Sequence, residues 1–361
     1  MANIISIGTA LPAYQHSQAD ILHFMQQAYG LGEQDKRKLA FLYHQSCIKT
    51  RYSVIPDFGK SADDYTFIPK DTNAAYPCLD KRLQLYAEEA LPLSLKAIED
   101  CISGLIEPGE ITHLITVSCT GMSAPGLDLQ LFEALNLAPS AFRTSVNFMG
   151  CYAAIHALKM AKMICDGDTD AKVVLVATEL CTLHFQNEFT LDNAASSLLF
   201  ADGSAAVLVS ASLDVECPLR LKSFYSQVAL KGKNDMSWRI SNKGFLMTLS
   251  AYIPQLIQQD IAALVNNALE HGKLTKGDIT HWCIHPGGKK ILEVIQKQMQ
   301  LCDCQLAPSR DVLSNYGNMS SASVLFVLKQ MISSMPDRPA NVFGVAFGPG
   351  LTMETFIASR A

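Results

Sequence analysis

The feature that most constrains the fold of this chain is the alternation of short β-branched runs with longer segments of helical periodicity. This alternation is typical of α/β proteins, in which helices cross over between parallel strands. The predicted strands are 113–118, 173–178, 205–210, 279–284, 342–347 and 352–358. The predicted helices are 87–102, 127–135, 151–165, 253–269, 290–299 and 320–334, and the polar regions 51–77 and 231–243 are predicted as loops.

Two segments, 111–115 and 279–283, resemble each other. Each leads from a charged helix end into a predicted buried strand, and each is followed by a Gly-containing turn and another helix. A chain of 361 residues is long enough for two domains or for one domain built from two similar halves. The repeat favours two halves, 1–214 and 215–361, joined near 210–218.

Composition excludes several classes of function. Apolar residues make up 49% and charged residues 17% of the chain, and the net charge of −5 comes without the basic surface that nucleic acid requires. No segment reaches the ~18 apolar residues of a membrane span, and the N-terminus lacks a basic region followed by a long apolar stretch. We therefore expect a cytoplasmic protein that does not bind nucleic acid and has no membrane span.

The 11 cysteines are odd in number and irregularly spaced. Cys302 and Cys304 are the closest pair, but they have no second pair and no histidine partner nearby in the sequence. This spacing predicts reduced thiols and neither disulfides nor a zinc site.

Cys151 stands at the start of a predicted helix, in the run Val-Asn-Phe-Met-Gly-Cys-Tyr-Ala-Ala of residues 146–154. Unpaired N–H groups and the positive end of the helix dipole favour a thiolate there, so we expect the pKa of Cys151 to fall below the ~8.5 of a free cysteine. The alternative is structural, because free cysteine is among the most buried residue types.

Two other polar residues lie beside glycines at predicted strand ends. His285 follows strand 279–284 and precedes Pro-Gly-Gly, and Asn318 follows Gly317 and leads into a small-residue helix. Taken singly, His285 is expected to be a structural histidine and Asn318 an N-cap. A cysteine, a histidine and an asparagine together are the set that acyl transfer through a thioester requires: a thiolate and two donors for an oxyanion.

Three motifs occur in this order along the chain: Ile-His-Pro-Gly-Gly at 284–288, Tyr-Gly-Asn-Met-Ser-Ser-Ala-Ser at 316–323, and Gly-Val-Ala-Phe-Gly-Pro-Gly-Leu-Thr-Met-Glu-Thr at 344–355. With them the chain closely resembles the type III polyketide synthases, the chalcone and stilbene synthase group of the thiolase superfamily. The resemblance implies a thiolase-like α/β/α/β/α layered fold of two similar halves and a homodimer.

The resemblance also implies roles for the candidate residues. Cys151 would accept the starter acyl group from an acyl-CoA, and His285 and Asn318 would hold the enolate that forms when malonyl-CoA loses CO₂. No metal or redox cofactor would be needed, since coenzyme A thioesters are the substrates.

Several positions matching the family's cavity bear on the substrate. Phe200 matches one of two gatekeeping phenylalanines, with core packing as the alternative, and Met247 replaces the other. The plant chalcone synthases have a glycine, two threonines and a methionine where this chain has a different set: Trp238, His184, Cys119 and Ala124. A large indole would reshape the cyclisation chamber, and the small Ala124 would open a channel for a long apolar chain. In this combination of cavity residues the chain is similar to the bacterial and fungal alkylresorcinol and alkylpyrone synthases.

Lys49 and Arg51 resemble the family's basic segment at the mouth of the coenzyme A tunnel, where cations would meet phosphates. A solvated basic pair is the alternative. Two other functions are alternatives to a type III polyketide synthase. One is a ketoacyl synthase of the fatty-acid initiating type, which takes malonyl from acyl carrier protein and condenses once. The other is a non-catalytic thiolase-fold binding protein.

Overall fold

The structure, a computed structural model, describes residues 1–71, 74–215, 219–250 and 252–360. The strands are β1 (Asn3–Ala10), β2 (Tyr14–Ser17), β3 (Thr50–Ser53), β4 (His113–Ser118), β5 (Phe142–Asn147), β6 (Lys172–Leu180), β7 (Asp202–Ser210), β8 (Leu219–Val228), β9 (Met236–Ser241), β10 (Gly244–Leu249), β11 (His281–Ile284), β12 (Ala340–Gly348) and β13 (Thr352–Arg360). The helices are α1 (Gln18–Ala28), α2 (Glu33–Gln45), α3 (Leu79–Ile102), α4 (Leu127–Ala134), α5 (Ala153–Gly167), α6 (Leu191–Leu199), α7 (Ile253–His271), α8 (Lys289–Met299), α9 (Asp303–Tyr316) and α10 (Ser323–Ser334).

The main sheet repeats one pairing pattern. Its order is β11-β12-β13-β8-β1-β7-β6-β4-β5. Along β4, β6, β7 and β1 the neighbours pair parallel, antiparallel and antiparallel, and β11, β12, β13 and β8 follow the same sequence of directions. The sheet is therefore mixed, and the expectation of parallel strands holds only for β4 with β5 and β6 and for β11 with β12.

Side chains of successive strand residues enter different layers. In β6, Val173 and Leu175 belong to the cluster around α5 and α10, whereas Val174 and Val176 pack in the cluster that contains α3. In β12, Phe343 packs instead in the cluster that contains α7 and α8. The α5/α10 cluster also includes residues of both halves of the sheet. Helices thus form two outer layers and one central layer. With the two halves of the sheet as the layers between them, this is the predicted five-layer arrangement.

Most predicted elements agree with the structure within a few residues. Strand β4 has the predicted bounds, and β6, β12 and β13 extend slightly beyond theirs. Both predicted loop regions contain strand residues, since β3 ends within 51–77 and β9 lies within 231–243. Each of these strands is held by a neighbour, β2 and β10 respectively. Of the predicted junction between the halves, 216–218 lies outside the described residues.

The prediction of reduced thiols is wrong for Cys302 and Cys304. Their sulfurs are bonded at 2.16 Å, because the turn that begins α9 brings the two Cα atoms within 5.4 Å. Eight other described cysteines are free, and Cys217 lies outside the described residues.

Candidate active site

Cys151 lies in the tight turn between β5 and α5, two residues before the helix begins. Gly150 adopts φ +81°, and a Cβ at this position would lie 2.1 Å from Cδ of Pro349. The glycine is therefore required both by the backbone conformation and by the contact with the C-terminal motif. The amide of Gly150 donates to Sγ of Cys119 at 2.9 Å, which fixes the turn from the other side.

The pKa of Cys151 is not lowered as the helix start led us to expect. Burial raises it to about 12, although hydrogen bonds from the side chains of Ser320 and Asn318 act in the opposite direction. The carboxylate of Glu179 raises it further. Desolvation of the thiolate therefore outweighs the helix terminus, so the resting side chain is a neutral thiol.

His285 directly follows β11, and its amide donates to the carbonyl of Val345 at 2.9 Å. The side chain is 1% exposed, and neither ring nitrogen has a hydrogen-bond partner among the described residues. Burial lowers the pKa of His285 to about 3, so the ring is neutral. A neutral imidazole with two free nitrogens can accept a proton at one and donate a hydrogen bond from the other.

The backbone of Asn318 is fixed against the segment that carries Phe200. Its amide donates to the carbonyl of Leu199, and its carbonyl accepts from the amide of Ala201, both at 2.9 Å. Oδ1 of Asn318 accepts from the amide of Ser320 at 2.9 Å, and Nδ2 lies 3.5 Å from the carbonyl of Gly287. The side chain thus caps the following turn through its oxygen, and its N–H groups are directed to the sulfur of Cys151 and to a ligand.

These three side chains line one cavity of about 640 Å³, which we call the Cys151 cavity. Its wall includes four more of the predicted residues: Phe200, Met247, Trp238 and Cys119. Cys151 comes from the N-terminal half of the sheet, and His285 and Asn318 come from the C-terminal half. The structure therefore brings together a thiol, an imidazole and an amide that are far apart in the sequence.

A second cavity of about 630 Å³ adjoins the first, and we call it the α1 cavity because Ile21 and Met25 of that helix line it. Both cavities share the side chains of Cys181, Phe200, Trp238 and Met247, which form the partition between them.

Trp238 and Met247 are direct partners in the β9–β10 hairpin. Nε1 of Trp238 donates to the carbonyl of Cys119 at 2.6 Å, which fixes the indole in the partition. The ring centroid of Trp238 lies 6.5 Å from that of Phe200.

His184 lines the α1 cavity and is fully hydrogen-bonded. Its Nδ1 accepts from the amide of Phe245 at 3.1 Å, so Nε2 carries the proton and donates to the carbonyl of Thr120 at 2.7 Å. The ring stacks on Phe245 with centroids 4.1 Å apart, and burial lowers the pKa of His184 to about 3. His184 is thus a fixed neutral part of the wall.

The remaining predicted residues lie outside the Cys151 cavity. Ala124 is exposed, precedes a cis proline and lines neither cavity, and Lys49 is also exposed. Arg51 is 3% exposed, and its guanidinium donates to Oε1 of Gln18 and to the carbonyl of Phe200. Because Arg51 is buried beside the partition, it is not the surface cation expected at a tunnel mouth.

Sequence reasoning missed Glu179, which is fully buried behind Cys119. Its Oε2 accepts from the amide of Cys119 and the hydroxyl of Thr120, both at 2.9 Å, and its Oε1 accepts from the hydroxyl of Ser321 at 2.5 Å. Burial raises the pKa of Glu179 against these hydrogen bonds. The available signal was an acidic residue directly after the apolar strand predicted at 173–178.

Two family models match the chain. "Chalcone and stilbene synthases, N-terminal domain" matches residues 1–213, and "Chalcone and stilbene synthases, C-terminal domain" matches residues 220–360. The chain belongs to the chalcone and stilbene synthase family. Chalcone and stilbene synthases are type III polyketide synthases, so the protein is an acyltransferase of the class that performs decarboxylative condensation on coenzyme A thioesters.

Curated relatives of this chalcone and stilbene synthase family member include "Alpha-pyrone synthesis polyketide synthase-like Pks18" of Mycobacterium tuberculosis. The two are 30% identical over 98% of this chain and 90% of that protein. "Probable polyketide synthase 1" of Dictyostelium discoideum is 30% identical over 97% of this chain, which spans 11% of that much longer protein.

Solved structures of the type III polyketide synthases have the same fold. PKS-I from the brown alga Ectocarpus siliculosus superposes with a TM-score of 0.91 at 30% identity, covering 100% of this chain and 98% of the other. The C-terminal type III polyketide synthase domain of Steely1 from Dictyostelium also gives 0.91, at 28% identity and 99% coverage of both chains.

The described residues of this synthase family member contain no group of three or more His, Cys, Asp or Glu side chains that could hold a metal ion. Within the same residues, every helix is too short or too polar to cross a membrane.

Proposed function

We propose that this enzyme loads an acyl group from an acyl-CoA onto Cys151, extends it with malonyl-CoA and cyclises the product to a pyrone or a resorcinol. The observation that carries the proposal is the placement of Cys151, His285 and Asn318 around one buried cavity.

Loading begins with a neutral thiol beside a neutral imidazole. His285 accepts the proton of Cys151, and the resulting thiolate attacks the thioester carbonyl of the starter. The ion pair forms inside the protein, where attraction between opposite charges is stronger than in water, and this attraction offsets the desolvation that keeps each group neutral alone. Coenzyme A leaves as a thiol, taking the proton from His285, and the acyl group stays on Sγ.

Extension uses the free donors of His285 and Asn318. The carboxylate of malonyl-CoA leaves as CO₂, and the bonding electrons form an enolate whose oxygen accepts hydrogen bonds from the imidazole and from Nδ2 of Asn318. The enolate carbon attacks the acyl-Cys151 carbonyl, and the thiolate of Cys151 is released. The extended chain, now a coenzyme A thioester, returns to Cys151 for the next condensation.

The pyrone or resorcinol product class is supported by likeness to the mycobacterial relative, whose name records alpha-pyrone synthesis, and by the bulky Trp238 in the partition. The same proposal includes the halves 1–214, with Cys151, and 215–361, with His285 and Asn318, which the repeated strand pairing supports.

A homodimer is part of the proposal. Strand β5 lies at the edge of the main sheet, and its Phe142 is 67% exposed in the single chain. An exposed aromatic residue on an unpaired strand edge is expected to be covered by a partner. Lys49, which is exposed, stays the predicted contact for coenzyme A phosphates.

The nucleophile is tested with Cys151→Ala, assayed by mass spectrometry for polyketide and for CO₂ release from malonyl-CoA. We expect no polyketide and continued decarboxylation, because His285 and Asn318 still stabilise the enolate. Cys165→Ala is the matched control, since Cys165 is a buried thiol on α5 that lines neither cavity. Polyketide from Cys151→Ala would contradict the assignment.

The rival ketoacyl synthase is tested by supplying malonyl as the coenzyme A thioester or on acyl carrier protein. The proposal requires repeated condensation with malonyl-CoA alone. Strict dependence on the carrier and a product of one condensation would favour the rival. Absence of acylation and of condensation under both conditions would favour a non-catalytic binding protein.

A further inference from the structure

Arg51 is buried on β3 and has no part in the proposed chemistry at Cys151. We propose that Arg51 is a positioning residue, whose guanidinium fixes the segment of Phe200 and, through it, the backbone of Asn318. This inference rests on the proposed function, in which Asn318 donates to the enolate oxygen. The contact with coenzyme A phosphates predicted for Arg51 is replaced by a role inside the protein.

The guanidinium of Arg51 holds the end of helix α6 in two ways. Its Nη1 donates directly to the carbonyl of Phe200 at 2.6 Å, and its Nε donates to Oε1 of Gln18 at 2.9 Å. Gln18 in turn donates from Nε2 to the carbonyl of Leu198 at 2.9 Å. Two carbonyls at the end of α6 are therefore held by one buried network of hydrogen bonds, and such networks make the groups they join rigid.

The segment held by Arg51 is the one to which Asn318 is bound. The amide of Asn318 donates to the carbonyl of Leu199, and its carbonyl accepts from the amide of Ala201, both at 2.9 Å. Phe200 and Asn318 thereby form an isolated parallel bridge. A displacement of Phe200 would therefore be transmitted to Asn318 through two backbone hydrogen bonds.

The aliphatic part of Arg51 packs against the residue that precedes Asn318. Gly317 adopts φ +71°, and a Cβ at this position would lie 2.8 Å from Cγ of Arg51 and 3.0 Å from the carbonyl oxygen of Leu199. The turn before Asn318 is thus in close contact with the Arg51 side chain as well as with the segment that the guanidinium holds.

The strand that carries Arg51 is itself bound to the end of helix α9, directly before this turn. The amide of Lys49 donates to the carbonyl of Ser314, and the hydroxyl of Thr50 donates to the carbonyl of Asn315, both at 2.7 Å. Arg51 is therefore held on the side of α9 by its own strand, while its guanidinium reaches the end of α6.

A guanidinium is suited to hold several oxygens in fixed directions, because its five N–H groups lie in one plane. Arg51 is 3% exposed, and the oxygens of Gln18 and Phe200 that it contacts are neutral. A neutral side chain of similar length would fill the same space but would leave the carbonyl of Phe200 without this donor.

Arg51→Met tests the role, because methionine removes the N–H groups and keeps an unbranched side chain against Gly317. The assay is CO₂ release from malonyl-CoA alone, which needs no starter and reports the step that forms the enolate. Misplacement of a group at the reacting centre by about 1 Å costs on the order of 100-fold in rate. We expect Arg51→Met to lower kcat by at least ~10-fold, with little change in the KM for malonyl-CoA.

Arg82→Met is the matched control. Arg82 is also a buried arginine that donates to backbone carbonyls, and it lines neither cavity. Its acceptors are the carbonyls of Pro77, Leu183 and Phe185. Arg82→Met should lower the free energy of unfolding in urea as Arg51→Met does, but it should keep the wild-type kcat. An equal loss of kcat in both variants would overturn the inference.

A double-mutant cycle separates positioning from a general loss of structure. If Arg51 acts through Asn318, Arg51→Met should lower kcat by no more than about twofold in an Asn318→Ala background, because the effects of coupled residues are not additive. Losses that multiply would overturn the inference. If Arg51→Met does not fold, Gln18→Met takes its place in the cycle with the same criteria, since it removes the acceptor of Nε and keeps the guanidinium.

Asn318→Ala alone distinguishes this inference from the proposed function. A loss of kcat in Asn318→Ala together with wild-type kcat in Arg51→Met would overturn the role of Arg51 and leave the proposed function standing. Wild-type kcat in Asn318→Ala, or no CO₂ release from the wild-type protein, would refute the proposed enolate step and the role of Arg51 with it.

Discussion

Gly150→Ala tests how the turn before α5 places Cys151, the proposed nucleophile. The residue has φ +81°, which costs an alanine ~1–2 kcal/mol, and its new Cβ would lie 2.1 Å from Cδ of Pro349. Relief of such a contact in a packed interior costs a further ~1–3 kcal/mol. The free energy of unfolding should therefore fall by ~2–5 kcal/mol.

Catalysis should fall as well, because the substitution moves the residue that carries the thiol. A displacement of about 1 Å at a reacting group costs on the order of 100-fold in rate. Urea denaturation followed by circular dichroism gives the stability, and kcat for polyketide formation gives the activity. The kcat is measured without urea, at a temperature at which the variant is folded.

Gly167→Ala is the matched control. Gly167 is the last residue of the same helix, and a Cβ there meets nothing within 4 Å. This variant should keep wild-type stability within ~1 kcal/mol and wild-type kcat. If Gly150→Ala were as stable and as active as Gly167→Ala, the argument that the turn requires glycine would be refuted.

Three more perturbations have defined outcomes. Alkylation of Cys151 by iodoacetamide, followed by intact mass, should accelerate about tenfold per pH unit from pH ~7 to ~10, because burial raises the pKa of the thiol to about 12; a plateau below pH ~8 would contradict this. Asp202 is fully buried, and its pKa is raised from 3.8 to about 6 by burial, so the folded state binds its proton more tightly than the unfolded state. The free energy of unfolding of the wild type, relative to that of Asp202→Asn, should therefore decrease by ~3 kcal/mol as the pH rises from below 3.8 to above about 6. Urea midpoints that change equally with pH in the two proteins would contradict this expectation. Trp238→Phe removes the donor to the carbonyl of Cys119 and should cost ~1 kcal/mol in urea denaturation, with a broader range of accepted branched starters; an unchanged range would show that the indole does not restrict the partition.

The parts of the fold that could be predicted are those in which local sequence and tertiary structure agree. Strand β4 has both faces buried, and its run of apolar and β-branched residues from Leu114 to Val117 is recognisable without its neighbours. Strand β9 could not be predicted, because Ser237 and Arg239 are polar and the strand exists through its pairing with β10. Helix α9 was also missed, and its interior Pro308 interrupts the helical signal.

The site shows the same division. The residue types of Cys151, His285 and Asn318, together with the resemblance to a family that uses them in one site, were sufficient to predict that they meet. Position along the chain alone was not sufficient, because Asn318 follows helix α9 and not a strand. The burial of Arg51 was not predictable from its neighbours, since Lys49, two residues earlier, is exposed. The α1 cavity was likewise hidden, because it depends on α1, a helix that the sequence did not reveal, packing beside α6.

The difference between the expected and observed pKa of Cys151 bears on how the site works. A helix start favours a thiolate by ~0.3–1 kcal/mol. Removal of a charged group from water shifts its pKa by several units, and each unit corresponds to about 1.4 kcal/mol, so burial is the larger effect. The same burial lowers the pKa of His285 to about 3, so the two groups hold the proton on sulfur until a substrate arrives. Hydrogen bonds from Ser320 and Asn318 to the sulfur then favour the charged form that proton transfer creates. In the proposed mechanism Asn318 is also the donor to the enolate, so release of the thiolate in each condensation would return this amide from the substrate oxygen to the sulfur. The neutral resting state of Cys151 and His285 thus follows from the same burial that would exclude water from the proposed enolate.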